Sequence, residues 1–155
     1  MAKIIMAKKF KFYKSKSIVS KSAARIAVVQ IIYNCLLSSK DTAQVIEEYT
    51  KYFKNDLEDE FNIDCIDEEY LNLIINNFDY SFEKKIEKHL VEGWTLERMS
   101  NVDKAILLAG IIELNLDSQL TKNTIISEYI EIALQMGGEP KFVNKILDMI
   151  SREIT

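Results

Sequence analysis

Between Val102 and Leu114, in VDKAILLAGIIEL, apolar side chains fall on almost every side of a helical wheel, the pattern of a buried helix around which other segments pack. Val102, Ile106 and Ala109 form one stripe, and Leu107, Ile111 and Leu114 form a second. Ser100 supplies an N-cap, and Asp103, three residues on, supplies an acid for the free amides of the first turn. The other segments are one-sided. From Ser22, read as a cap, Ala23, Ala24, Ile26, Ala27, Ile31, Tyr33, Leu36 and Leu37 recur at helical spacing, which places Arg25 in a first turn. A cation there opposes the helix dipole, so Arg25 is expected to meet an anion. Asp41 to Gln44 has the form of a capping box, opening a helix with Val45, Ile46, Tyr49 and Phe53 that closes near Lys54.

Asn55 to Ile66 is acidic and without period, and reads as a surface connection. Asp67 then caps a helix carrying Tyr70, Leu71, Ile74, Ile75 and Phe78. Another helix follows from about Ser81, with Phe82, Ile86, His89 and Leu90 on one face, Gly93 as its stop and Trp94 as an anchor between two lobes. Thr121 to Met136 is a further helix, ended by Gly137 and Gly138, and Pro140 opens the last one, buried through Phe142, Val143, Ile146, Leu147 and Ile150. The period is helical from Ser22 to the end, so the fold class is all-α.

Composition narrows this to one domain, because 155 residues with 48% hydrophobic content bury a single substantial core, and one Pro and four Gly punctuate few turns. Cys35 and Cys65 lack a CxxC context, so neither a disulfide framework nor a metal site is expected, and the lone His89 reads as a hydrogen-bonded structural or an exposed imidazole rather than a catalytic one. No apolar run is long enough to cross a bilayer, which points to the cytoplasm.

Charge changes the picture more. Met1 to Lys40 contains nine basic residues and no acid, whereas residues 41 to 155 hold 11 basic and 24 acidic groups, so a +9 end faces a −13 body. Residues 1–20 form a basic arm in which Phe10, Phe12 and Tyr13 are interleaved with lysines. Lysines for phosphates and aromatics for unpaired bases would make it a nucleic-acid arm; a solubilising disordered tail is the alternative. Glycine-rich phosphate loops, nucleophile elbows and paired catalytic carboxylates are missing from the sequence, since Glu47 and Glu48, like Glu68 and Glu69, are adjacent and diverge on a helix. The chain is not expected to be an enzyme or to need a cofactor.

Four stretches together resemble the NusB family of bacterial transcription antitermination factors: KSAARIAVVQIIY at Lys21 to Tyr33, VDKAILLAGIIEL at Val102 to Leu114, IISEYIEIA at Ile125 to Ala133, and KFVNKILD at Lys141 to Asp148. The last is the most specific. The resemblance implies a NusB-like bundle of about seven helices in two packed lobes, occupying residues 21–155. It implies binding of single-stranded boxA RNA of ribosomal RNA leaders, jointly with a small-subunit ribosomal protein, NusE, and through these an indirect association with RNA polymerase and other Nus factors. Ser22, Ala23 and Ala24 stand in place of part of the family's arginine-rich run, and Lys145 stands where the family has glycine.

By the same resemblance Lys16, Lys21 and Arg25 would contact RNA at the start of the first helix, with Lys141, Phe142 and Asn144 beside them from the last. Tyr33, Leu37 and an exposed Asp103 would face the basic ribosomal protein. For Phe142 a core position competes with base stacking, and for Asn144 a hydrogen bond within its helix competes with base contact. Glu113 and Glu128 are expected to be buried, hydrogen-bonded to neighbouring backbone and holding the lobes together. Three other readings remain: a protein-only adaptor that has lost RNA binding, a helical DNA-binding regulator, and an RNA methyltransferase. The second lacks a convincing recognition helix, and the third lacks room for a cofactor-binding sheet.

Overall fold

The computed structural model describes residues 16–154, with side chains from Val19 onward. Eight α-helices follow one another: α1 (Lys16–Leu37), α2 (Thr42–Tyr52), α3 (Lys54–Phe61), α4 (Glu68–Ile75), α5 (Glu83–Lys88), α6 (Asn101–Asn115), α7 (Lys122–Met136) and α8 (Pro140–Ser151). Single 3-10 turns at Tyr80–Phe82 and Leu96–Arg98 precede α5 and α6. Among the described residues the chain is all-α.

Local chemistry sets most boundaries. Asp41 and Asp67 cap α2 and α4 by accepting from the Gln44 and Tyr70 amides. Ser100 accepts from the Asp103 amide at the start of α6, and Thr121 does the same for Thr124 at the start of α7. Gly137, at φ 76, ends α7 in the left-handed conformation, and Pro140 occupies the first turn of α8.

Two expectations fail. α1 begins at Lys16, so Ser22 is not a cap but a buried side chain within the helix. The acidic stretch after Asn55 is not irregular: it forms α3, which buries Leu57, Phe61 and even Glu58. Glu58 is useful there because its carboxylate accepts from the Ile66 amide at 2.7 Å and so ties α3 to the connection that follows.

The core sits around α1 and α6, the two helices most extensively packed on each other. In α6 every residue from Ala105 to Leu114 is buried. α7 returns antiparallel to α6, placing Tyr129 near Gly110 and Gly138 against Asp103 and Ile106. α8 then runs parallel to α6, its start held at Asp103 by the Glu139 amide and its middle at Gly110. A Cβ on Gly110 would lie 3.0 Å from both Leu147 methyl carbons, which is how closely α8 approaches. α6, α7 and α8 make one lobe; α1 with α2, α3 and α4 makes the other. Tyr49 fastens α2 to α1 by donating to Gln30 Oε1 at 2.6 Å. Trp94, expected at the join, is 55% exposed instead.

Candidate RNA and protein interfaces

Four helices meet at one buried carboxylate. Arg25 of α1 donates from Nε to Glu113 Oε1 at 2.8 Å and from a terminal nitrogen to Oε2 at 2.9 Å. Tyr129 of α7 donates to Oε1 at 2.8 Å, and Tyr70 of α4 donates to Oε2. Glu128 lies 3.8 Å from the other Arg25 nitrogen and accepts from the Ser22 hydroxyl at 3.2 Å. Burial alone would disfavour the Arg25 charge, but the hydrogen bond and charge of Glu113 outweigh it and raise the guanidinium pKa. Burial first, and then the Glu113 charge, push the Tyr70 and Tyr129 phenols well above their ordinary value.

This arrangement corrects two readings. Arg25 is 2% exposed and lies within α1, not in its first turn, so the anion it meets is Glu113 rather than an RNA phosphate. Glu113 is buried as expected, but side chains of three helices satisfy it rather than neighbouring backbone. The signal in the sequence was an acid on an all-apolar helix, and its partner lay 88 residues away.

Of the other expected RNA contacts, Lys16 is the first residue of α1, with its side chain outside the described ones; so are Phe10, Phe12 and Tyr13. Lys21 is half-exposed, its ammonium 5.4 Å from the centre of the Tyr70 ring, whose opposite duty is to Glu113. Lys141 and Asn144 are exposed at the start of α8, and Phe142 is half-buried. Their helices attach to α6 at different heights. Arg25, one turn from Lys21, meets α6 at Glu113, whereas α8 starts at Asp103, ten residues earlier on α6. The rise of an α-helix makes that about 15 Å.

At the start of α8 an open pocket of about 500 Å³ is lined by Trp94, Arg98, Met99, Ser100, Asp103, Glu139 and Phe142. Asp103 is not exposed: it is 5% accessible, with Oδ1 accepting from the Glu139 amide at 2.8 Å and Oδ2 from the Ser100 hydroxyl at 3.1 Å. The helix start it neutralises and the turn into α8 together draw it inward. Tyr33 is half-buried, and Leu37 is 49% exposed at the end of α1. His89 sits with its Nε2 3.0 Å from Glu153, beside Lys88, in a structural contact between α5 and the end of α8. Cys35 is buried and Cys65 exposed, both free thiols. Among the described residues no group of three metal-ligating side chains gathers, and no helix is long and apolar enough to cross a membrane.

Fold and surfaces thus define an all-helical, two-lobed protein with cationic positions spread over its surface. Residues 22–152 match the model of the NusB family, and the chain belongs to that family. A relative from Caulobacter vibrioides, a transcription antitermination protein NusB, is 34% identical over 141 residues, covering 86% of this chain and 93% of its own. The Rickettsia bellii protein of the same name is 31% identical, covering 90% and 94%. In fold the chain is similar to the solved structure of T. maritima NusB, with a TM-score of 0.64 and 29% identity over 92% of this chain and 94% of that one.

Proposed function

We propose that this protein is a cytoplasmic transcription antitermination factor that binds boxA RNA together with the ribosomal protein NusE, and through them joins RNA polymerase and other Nus factors. The observation that carries this reading is family membership over nearly the whole length of relatives named as transcription antitermination proteins. The mechanism is binding rather than catalysis. Lys21 at one end of α6 and Lys141 with Asn144 at the other would contact one extended strand, a spacing suited to several nucleotides of single-stranded RNA rather than to one phosphate cluster. Lys16 would add to the first group. Arg25 acts from inside, by fixing α1 on α6 so that Lys21 faces solvent.

Toward the ribosomal protein, Leu37 and Tyr33 offer an exposed apolar edge on α1. Asp103 contributes by holding the α6–α8 corner, not as a free charge. Two weak surfaces then combine into one tight site by effective concentration. The test separates the surfaces. Leu37→Asp should lose the ribosomal protein and keep RNA binding, whereas Lys21→Ala with Lys141→Ala should lose RNA and keep the protein. If both variants lose both partners equally, two separate surfaces do not exist.

One observation favours a protein-only adaptor as the second reading. Arg25 is internal, and Ser22, Ala23 and Ala24 are buried, so the described part of α1 keeps only Lys21 as a surface cation near its start.

A further inference from the structure

Residues 1–16 carry six lysines and no acid, and the place where this arm meets the body is fixed by two hydrogen bonds. Ser20, near the start of α1, donates from its hydroxyl to the Cys65 carbonyl at 3.0 Å, and its own carbonyl accepts from the Asp67 amide at 3.3 Å. The first turns of α1 are thus pinned to the connection between α3 and α4, and residues 1–15 issue beside it. The surroundings are strongly acidic: Lys54 to Glu69 holds eight acids and one lysine. That lysine is engaged, because Lys54 pairs with Glu58 and Glu68. Asp56, Asp59, Glu60, Asp64 and Glu69 pair with no cation among the described residues.

α3 buries Leu57 and Phe61, so Asp56, Asp59 and Glu60 lie on its outer side. Where α2 runs into α3, Tyr52 is 52% exposed, with Lys51 standing 5.3 Å from its ring centre, and Ile63 is half-buried in the connection that follows α3. Unpaired carboxylates therefore adjoin exposed aromatic area. The arm has the complementary make-up, since lysine and phenylalanine alternate from Lys9 to Phe12, followed by Tyr13 and Lys14. An extended segment of that pattern shows amines to one side and rings to the other. Fifteen residues reach about 50 Å when extended, whereas the eight residues of α3 span only about 12 Å. Tethering selects this occupant: a segment joined to the surface by a short chain meets it at a roughly millimolar effective concentration, which a free basic protein does not match. RNA itself would be repelled by the acids.

We propose that residues 1–15 dock on the outer face of α3 and the connection after it, with lysines against Asp59, Glu60 and Asp64 and a ring against Tyr52, and that single-stranded RNA competes with this surface for the arm. The docking stands on charge and placement; the competition rests on the RNA-binding reading. Held there, the lysines are withheld from phosphates until RNA displaces the carboxylates. Short or sparsely charged polyanions then gain little from the arm, and the free protein keeps its basic end covered.

A zero-length carbodiimide, which joins amines to carboxylates already in contact, tests the docking on the full chain without RNA. Peptide mapping should connect Lys8, Lys9, Lys11 or Lys14 to Asp59, Glu60 or Asp64 within one molecule. These links should fade with added salt, because exposed charges are screened within about 8 Å at physiological ionic strength. Links spread evenly over acids of the whole body, or found only between molecules, would overturn the docking. Asp59→Asn, Glu60→Gln and Asp64→Asn together remove no helix cap and should leave the helical circular dichroism unchanged. With the native arm this triple variant should bind boxA RNA about fivefold more tightly, the worth of a few exposed ion pairs. With Lys8, Lys9, Lys11 and Lys14 all replaced by Gln, the gain should fall below about twofold. An equal gain in both backgrounds would mean that the acids repel RNA directly, and would overturn the competition. Links that persist at saturating RNA would do the same. Absence of any RNA binding would overturn the RNA-binding reading, and with it the competition, while the mapped links would still establish the docking.

Discussion

Removing either member of the Arg25–Glu113 pair leaves the other buried without its countercharge, since they are 2% and 0% exposed. Arg25→Met should therefore destabilise the chain by about 3–5 kcal/mol in urea unfolding. Adding Glu113→Gln should recover part of that loss, because no buried anion then remains; strict additivity of the two costs would contradict the coupling. Buried phenols, two of them at this site, set the alkaline limit. Burial, followed by nearby carboxylates, raises the phenol pKa of Tyr49, Tyr70 and Tyr129 above the ordinary 10.0. Above about pH 10 the unfolded chain loses these protons while the folded chain keeps them, so this stabilisation is complete below pH 10 and falls as pH rises. Tyrosinate absorbance should thus contain a fraction that appears only together with loss of helical circular dichroism. Complete tyrosinate formation in a still-helical protein would refute it.

At the scale of elements, the corner between α6, α7 and α8 concentrates three local devices: the Ser100 cap, the Asp103 carboxylate and Gly138. A Cβ on Gly138 would stand 2.7 Å from Asp103 Oδ1. Gly138→Ala should cost about 1–3 kcal/mol, and most of that cost should vanish in an Asp103→Ala background, where the colliding oxygen is gone. Equal costs in both backgrounds would place the strain elsewhere. This corner was partly legible beforehand, because caps and glycine stops are written in adjacent residues: Ser100, Gly137 and Pro140 each announced a boundary that α6, α7 and α8 observe. α3 was not legible, since Leu57 and Phe61 give an eight-residue helix among acids too little period to see. Nor was the true start of α1, where Ser22 has the chemistry of a cap but is buried against Glu128 of another helix. The direction in which Asp103 points was equally hidden, for it depends on an amide 36 residues later.

Over the whole molecule, the sequence separates a strongly basic first 40 residues from an acidic remainder. Within the described residues, folding removes Arg25 from that basic end and leaves Lys21 on its surface, while Lys141 lies at the start of α8, whose attachment to α6 at Asp103 is about 15 Å along that helix from Glu113. If one RNA strand bridges both, Lys21→Ala and Lys141→Ala should each lower the slope of log affinity against log salt by about 0.7, and the double variant by about twice that. A slope unchanged by either would mean that neither lysine neutralises a phosphate.

The proposed function requires selective binding of single-stranded RNA in partnership with a ribosomal protein. Its most direct test is a titration of boxA RNA and a scrambled RNA of equal length against the full chain at fixed moderate salt, with and without the ribosomal protein. An antitermination factor of this kind should prefer boxA, and the preference should strengthen when the ribosomal protein is present. Equal and weak binding of both RNAs, with the ribosomal protein still associating, would contradict it and leave a protein-only adaptor.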